Sequence, residues 1–248
     1  FNTGSVIGSS VSSSVGGVCG VNYNTIKNSY NTGSVNGSIG VGGVCGMSYN
    51  DTMKNSVENS YNTGSVSGSE KVGGVCGANN SSVKNSYNTG SVSGSKEVGS
   101  VCGRNIGTIE NTYYLENCNA KGTTFDCNGG TAQTSEQFES GEVAYLLQKG
   151  QETEIWGQEI GKDKLPVLNS KKVYQNITCS GCCEKYQGDI TYVYSNTKAN
   201  PVYSGHQYEN GICTFCGVDY EPAKLVDNYY QISNAGNLLW FAQQVNSG

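Results

Sequence analysis

Apolar residues are sparse in the first half of this chain, and they return at fixed phase. A phrase Phe/Tyr-Asn-Thr-Gly-Ser-Val begins at Phe1, Tyr30, Tyr61 and Tyr87, and Tyr113 opens a degenerate fifth copy. Within each copy a Gly-Gly/Ser-Val-Cys-Gly phrase follows, then Asn-Ser/Thr-Tyr. The start-to-start spacings are 29, 31, 26 and 26 residues. A period of this size predicts a solenoid, in which each unit buries its few apolar side chains only by stacking on its neighbours. Length varies between the fixed phrases, at Ile7–Ser14 and Asn50–Val57, where loops can swell without disturbing a stacked core.

Each unit divides into three short extended pieces with Gly, Asn and Ser between them, which supply positive-φ corners and local side-chain bonds. In the second copy the pieces are Ser34–Val35, Val41–Cys45 and the stretch ending at Tyr61. About 26 residues per turn predicts a right-handed, three-sided parallel β-helix. A leucine-rich repeat needs a Leu frame that is missing, and a propeller blade needs about 40 residues. Val18, Val44, Val75 and Val101 are expected to form an inward column. Alternation places Ile26, Asn28 and Tyr30 on one face, and the equivalent Asn59, Asn85 and Asn111 then form an amide ladder at a corner. Cys19, Cys45, Cys76 and Cys102 share one phase. Coils about 4.8 Å apart with parallel Cβ vectors are poor disulfide geometry, so these thiols are read as small buried hydrophobes.

Composition sharpens the reading. With 35 glycines in 248 residues and only 14% charged residues, a chain without periodicity would be read as disordered; the recurrence of Val, Cys and Tyr reverses that. A net charge of −5, with Lys and Arg scattered, argues against nucleic acid as a partner. No run approaches about 18 apolar residues, so no membrane span is expected. The chain opens inside a repeat and without an initiator Met, so it is expected to be a piece of a longer protein.

Beyond residue 130 the pattern changes. Ser135 or Thr134 can cap a helix running to about Lys149 and ended by Gly150. Its Phe138, Val143 and Leu147, with Trp156 and Leu168, suit a cap over residues 131–170 that covers the open end of the stack. Cys118 and Cys127 flank a polar segment that a disulfide could close. Residues 171–222 form a cysteine-rich module. Cys179, Cys182, Cys213 and Cys216 make two Cys-x-x-Cys elements, as in a zinc ribbon, with His206 as a substitute ligand. The same cysteines also fit disulfides or free thiols in an oxidising compartment. Residues 223–248 read as a strand at Tyr230–Ile232, Ser233 as a possible N-cap, and a helix over Asn237–Asn246 with Leu238, Leu239, Phe241, Ala242 and Val245 inward.

The Gly-Val-Cys-Gly phrase with its Asn-x-Tyr-Asn-Thr-Gly sequel resembles the GLUG repeat, with Val and Cys in place of Leu and the second hydrophobe, over roughly residues 1–130. The resemblance implies a large secreted or surface protein of bacteria, adhesin-like or belonging to the non-catalytic part of immunoglobulin A metallopeptidases. Thr134–Leu168 resembles a segment that closes such arrays, and Asn228–Gly248 resembles the opening of a further array on the same chain. No catalytic residue carries over, because the family's peptidase uses His-Glu-x-x-His and this chain has a single His. The expected role is therefore a non-catalytic stalk or adhesive module, outside the cell or on its surface, with host glycans or proteins as partners. The competing class is a β-helix polysaccharide lyase or hydrolase, or an accessory region of a secreted peptidase. Against the enzyme stand Asp51, Glu58, Glu70, Glu97 and Glu110, which are read as lying at different phases and not converging.

Overall fold

The computed structural model describes residues 1–9, 14–49, 56–118, 121–123, 129–177, 190–194, 208–213 and 220–247. They fall into two compact units, Phe1–Val173 and Tyr174–Gly248. The protein is mainly β.

In the first unit each repeat makes one circuit of three sheets, and the pairings between repeats are parallel and in register, save for a shift between Ser93 and Lys96 where the last circuit joins. The second repeat shows the circuit. Tyr30–Asn31 lies on the first sheet, Val35–Asn36 and Ile39–Gly42 on the second, Cys45–Ser48 on the third, and Ser56–Glu58 returns to the first. Equivalent residues face each other coil by coil: Val35 opposite Val66, Cys45 opposite Cys76, Tyr61 opposite Tyr87. The Val41–Cys45 piece is not one strand. Gly43 and Val44 form a corner, and the strands on either side of it belong to different sheets. The last circuit continues through Lys121–Thr123 and Thr131–Gln133, which pair with Val92–Gly99 and Tyr113–Leu115.

Two apolar columns fill the interior. One holds Val44, Val75 and Val101 with Cys45, Cys76 and Cys102; the other holds Val35, Val66 and Val92 with Val41, Val72 and Val98. Val18 departs from the expected column. It lies in the first described coil and is 36% exposed.

The predicted asparagine ladder sits elsewhere. Asn28, Asn59, Asn85 and Asn111 all adopt positive φ between 46° and 50°. Asparagine tolerates that left-handed conformation, and one such residue breaks the strand alternation. Ile26 therefore packs against the core while Tyr30 joins an outer stack of rings. Of this set only Asn111 to Asn85 forms an amide–amide bond among the described contacts, at 2.7 Å. The continuous ladder is built by the asparagine after each aromatic residue. Asn2 donates to Asn31 (2.7 Å), Asn31 to Asn62 (2.8 Å) and Asn62 to Asn88 (2.8 Å). Each of these amides also donates to the carbonyl of the glycine two residues on.

That ladder explains the repeat's second glycine. A Cβ on Gly17, Gly43 or Gly74 would run into the side chain of Asn31, Asn62 or Asn88 respectively. In the next coil Tyr114 replaces the asparagine, being aligned with Asn88, and the glycine becomes Ser100. The two changes occur together because the amide and the missing Cβ occupy the same space.

The helical segment also differs from expectation. Thr134 caps it, accepting from the Gln137 amide while Gln137 returns a bond to the Thr134 amide. The helix then breaks at Gly141 (φ 91°) into Ser135–Glu139 and Glu142–Gln148. A Cβ at Gly141 would strike Ile160, so the break lets the chain pack closely there. Of the residues 131–170 read as a cap, Thr131–Gln133 adds a strand beside Tyr113–Leu115. Phe138, Val143, Leu147 and Trp156 lie against Tyr61, Tyr87 and Tyr113 on the outer side of the first sheet.

In the second unit, Tyr208–Glu209 pairs with Ile212–Cys213 through Asn210-Gly211, and Lys224–Val226 pairs with Tyr229–Gln231 through Asp227-Asn228. All four turn residues have positive φ, as two-residue hairpin turns of this hand require. The final helix is Ala235–Ser247, and its N-cap is Asn234, which accepts from the Asn237 amide at 2.8 Å, so Ser233 is not the cap. Asn237 is buried and donates to the Glu221 carbonyl. Leu238, Leu239 and Val245 are exposed, contrary to the inward face read from the sequence. Helical spacing alone places them together, but among the described residues nothing covers them.

Candidate functional site

Adjacent strand residues point to opposite sides, so the Tyr-Asn pair of each repeat sends its amide inward and its ring outward. The rings of Phe1, Tyr30, Tyr61 and Tyr87 stack with centroids 4.9 Å apart at each step and planes within 6° of parallel. Trp156 lies across Tyr61 and Tyr87 at 5.9 and 5.5 Å, and the Tyr87 hydroxyl donates to the Pro166 carbonyl at 2.7 Å. Burial, then the neighbouring Tyr30, pushes the Tyr61 phenol up to about 12. These rings serve packing.

Three of the carboxylates named from the sequence, Glu58, Glu70 and Glu110, are engaged with lysines. Glu58 and Glu110 share one phase, a correction to their expected dispersal, but Lys84 stands between them. Lys27 pairs with Glu58 and Lys84 with Glu110, both at 3.1 Å. Although burial works against it, the Ser56 hydroxyl and the Lys27 ammonium hold the Glu58 carboxyl below its ordinary value. Glu70 is also lowered, by Lys71 and then by Lys96, at 3.1 and 3.5 Å. A general acid needs the opposite shift. Glu97 lies on the second sheet at positive φ, away from the Glu58–Glu110 column. Asp51 lies outside the described residues. A cleft of about 240 Å³ between the stack and the helical segment is lined by Thr89, Leu115, Ser135, Phe138, Glu139 and Lys164 among others. Its lone carboxylate and lone amine make no acid–base pair of the kind hydrolysis uses.

The four repeat cysteines stack in register, and Cys45, Cys76 and Cys102 are fully buried. None of the four is in a disulfide. Each of the first three thiols donates to the carbonyl two residues on, at 3.1–3.3 Å. The Cys19 thiol is pushed up by its neighbour Cys45 and by burial, and the Cys76 thiol by its neighbour Cys102 and by burial. Since all three are fully buried, Cys45, Cys76 and Cys102 are expected to resist iodoacetamide in the folded protein at pH 8 and to react fully in denaturant. Peptide mapping that finds any of the three alkylated before unfolding would contradict this packing.

Of the proposed zinc ligands, the structure places Cys213 alone. It is buried on the Tyr208–Cys213 hairpin. Cys179, Cys182, His206 and Cys216 lie outside the described residues. Among the described residues no group of three or more His, Cys, Asp or Glu side chains is arranged to hold a metal. Cys118 is buried, and Cys127 lies outside the described residues. No helix among the described residues is long and apolar enough to cross a membrane.

The feature that sequence reasoning missed is the inner asparagine ladder. The signal for it was present in the co-occurrence of Asn-Thr-Gly with the second glycine.

The family of the GLUG motif matches residues 11–36. No curated protein matches the chain in sequence. Among solved structures, the crystal structure of a candidate immunoglobulin A1 protease from Bacteroides ovatus is similar with a TM-score of 0.51 and 24% identity, covering 67% of this chain and 55% of that one. At that identity the likeness is one of fold, and the chain spans about half the length of the solved protein. The matched segment lies within the tandem phrase that recurs from Phe1 to Tyr113, so this part of the array is similar to the GLUG motif.

Proposed function

We propose that this chain is a non-catalytic stalk or adhesive segment of a large bacterial protein that is secreted or held at the cell surface. In this reading the stack is a right-handed, three-sided parallel β-helix. The observation that carries the role is that the coil's polar and charged columns are occupied by one another. The inner amides form a ladder, and the outer carboxylates Glu58 and Glu110 pair with Lys27 and Lys84. Such a surface is built for rigid extension, with no acid–base pair set aside for turnover. The test is to screen the purified protein against uronic-acid polymers, mucin glycans and immunoglobulin. No turnover is expected, and reproducible activity lost on Glu70→Gln or Glu97→Gln would overturn the reading.

A second reading, an accessory region of a secreted peptidase, is favoured by the shared fold with the candidate immunoglobulin A1 protease. The two differ in what lies elsewhere on the polypeptide.

For residues 171–222 the proposal is one structural zinc held by Cys179, Cys182, Cys213 and Cys216, with His206 in reserve. The support is the double Cys-x-x-Cys spacing and the tight hairpin that carries Cys213. Zinc would supply the folding free energy that so short a polar segment lacks. Elemental analysis should find about one zinc per chain, and less than about 0.2 would rule the site out. Bridged Cys213 and Cys216 in non-reducing mass spectrometry would replace it with the oxidised alternative.

A further inference from the structure

The cleft between the stack and the helical segment is walled by three pieces of chain. The first sheet contributes Thr89 and Leu115, the helix Ser135–Glu139 contributes Phe138 and Glu139, and the turn ahead of Val167–Leu168 contributes Lys164 and Leu165. Leu115, Phe138 and Leu165 make the wall apolar, and one carboxylate and one ammonium stand beside them. Neither charge is neutralised by a neighbour. Lys162 and Lys171 both pair with Glu159, and Lys172 pairs with Glu154. Glu139 and Lys164 are exposed, and among the described residues they take part in no ion pair.

The walls are fixed before any ligand arrives. Gln158 is wholly buried, and its Nε2 donates to the carbonyls of Phe138 (2.9 Å), Glu139 (3.3 Å) and Asp163 (3.0 Å). A single amide therefore ties the backbone that carries Glu139 to the backbone just ahead of Lys164. The Tyr87 hydroxyl holds Pro166, next to Leu165, against the stack at 2.7 Å. The wall strand of Leu115 also pairs with Thr131–Gln133, which sets Gln133 opposite Leu115. Gln133 is 7% exposed, and its Oε1 meets no hydrogen-bond partner in the protein. A buried acceptor without a donor calls for an explanation, and a donor bound in the adjoining cleft supplies one.

We propose that this cleft binds a free α-amino acid with an apolar side chain of leucine to phenylalanine size. Its volume of about 240 Å³ is that of ~8 water molecules, which suits a ligand of this class and falls below the range of larger cofactors. The apolar side chain lies on Leu115, Phe138 and Leu165. The carboxylate meets the Lys164 ammonium, and the α-ammonium meets the Glu139 carboxylate. A simple anion or cation satisfies one of these charges and sets a like charge near the other, whereas a zwitterion satisfies both. Because the backbone of the walls is already tied, little ordering cost opposes binding. The inference rests on neither the stalk reading nor the peptidase reading.

Calorimetric titration of the purified chain tests it. L-Leucine and L-phenylalanine should bind saturably with Kd of about 1 mM or tighter. N-acetyl-L-leucine lacks the ammonium and L-leucinamide lacks the carboxylate, so each should bind at least about tenfold more weakly than leucine. In Glu139→Gln, leucine should bind no better than its N-acetyl form. In Lys164→Gln, it should bind no better than its amide. Both residues are exposed, so these variants keep the fold. Absence of saturable binding up to about 10 mM, equal affinity for leucine and its two blocked forms, or variants that still discriminate would each overturn the proposal. So would tighter binding of the dipeptide leucyl-leucine than of leucine, which would make the cleft a peptide site.

Discussion

Replacing Trp156 with alanine is expected to cost about 3–5 kcal/mol, the range for truncating a large aromatic core residue. Trp156 is wholly buried, although it lies outside the coil. It packs on Tyr61 and Tyr87, beside Phe138 and Leu147. Deleting the indole opens the joint between the helical segment and the ring stack. Thermal unfolding followed by circular dichroism should drop by on the order of 10 °C. Trp156→Phe should lose less, because it keeps ring contact. A loss below about 1 kcal/mol for the alanine variant would mean that the segment is not held by this contact.

Gly43→Ala is expected to be strongly destabilising for so small a change. The added methyl meets the Asn62 side chain and also the Gly74 carbonyl, which is backbone and cannot swing away. Overpacking of this kind costs about 1–3 kcal/mol and more when backbone must move. Ser100→Ala, at the equivalent position one coil beyond the ladder, should cost less than about 1 kcal/mol. The double variant Gly43→Ala with Asn62→Ala should lose less than the sum of the singles, because one substitution vacates part of the space the other needs. Strict additivity in chemical denaturation would show that the glycine and the amide do not compete.

Part of this architecture was legible in the chain. The recurrence of Tyr-Asn-Thr-Gly and Gly-Val-Cys-Gly told where coils begin and which residues stack, because identical residues at one phase must meet in register when units repeat. The free, buried thiols followed from the same geometry. The zinc ligands rest on spacing alone, with Cys213 placed on its hairpin and the others outside the described residues. The charge column was harder to read. Lys27, Glu58, Lys84 and Glu110 occur in different sequence contexts, and only the register aligns them.

What the sequence determined by itself was periodicity: a parallel stack, its inward valines and cysteines, and an apolar helical segment that had to find a surface. What the tertiary structure decided was direction. One positive-φ asparagine per coil reverses the face on which the next residues lie, so Tyr30 points out and Asn31 points in, against simple alternation. The sequence left open which surface the helical segment would meet, and it packs on the stacked tyrosines because they offer a continuous apolar strip. The exposed Leu238, Leu239 and Val245 make the same point from the other direction. Helical spacing groups apolar side chains on one face, but only a partner surface turns that face into an interior.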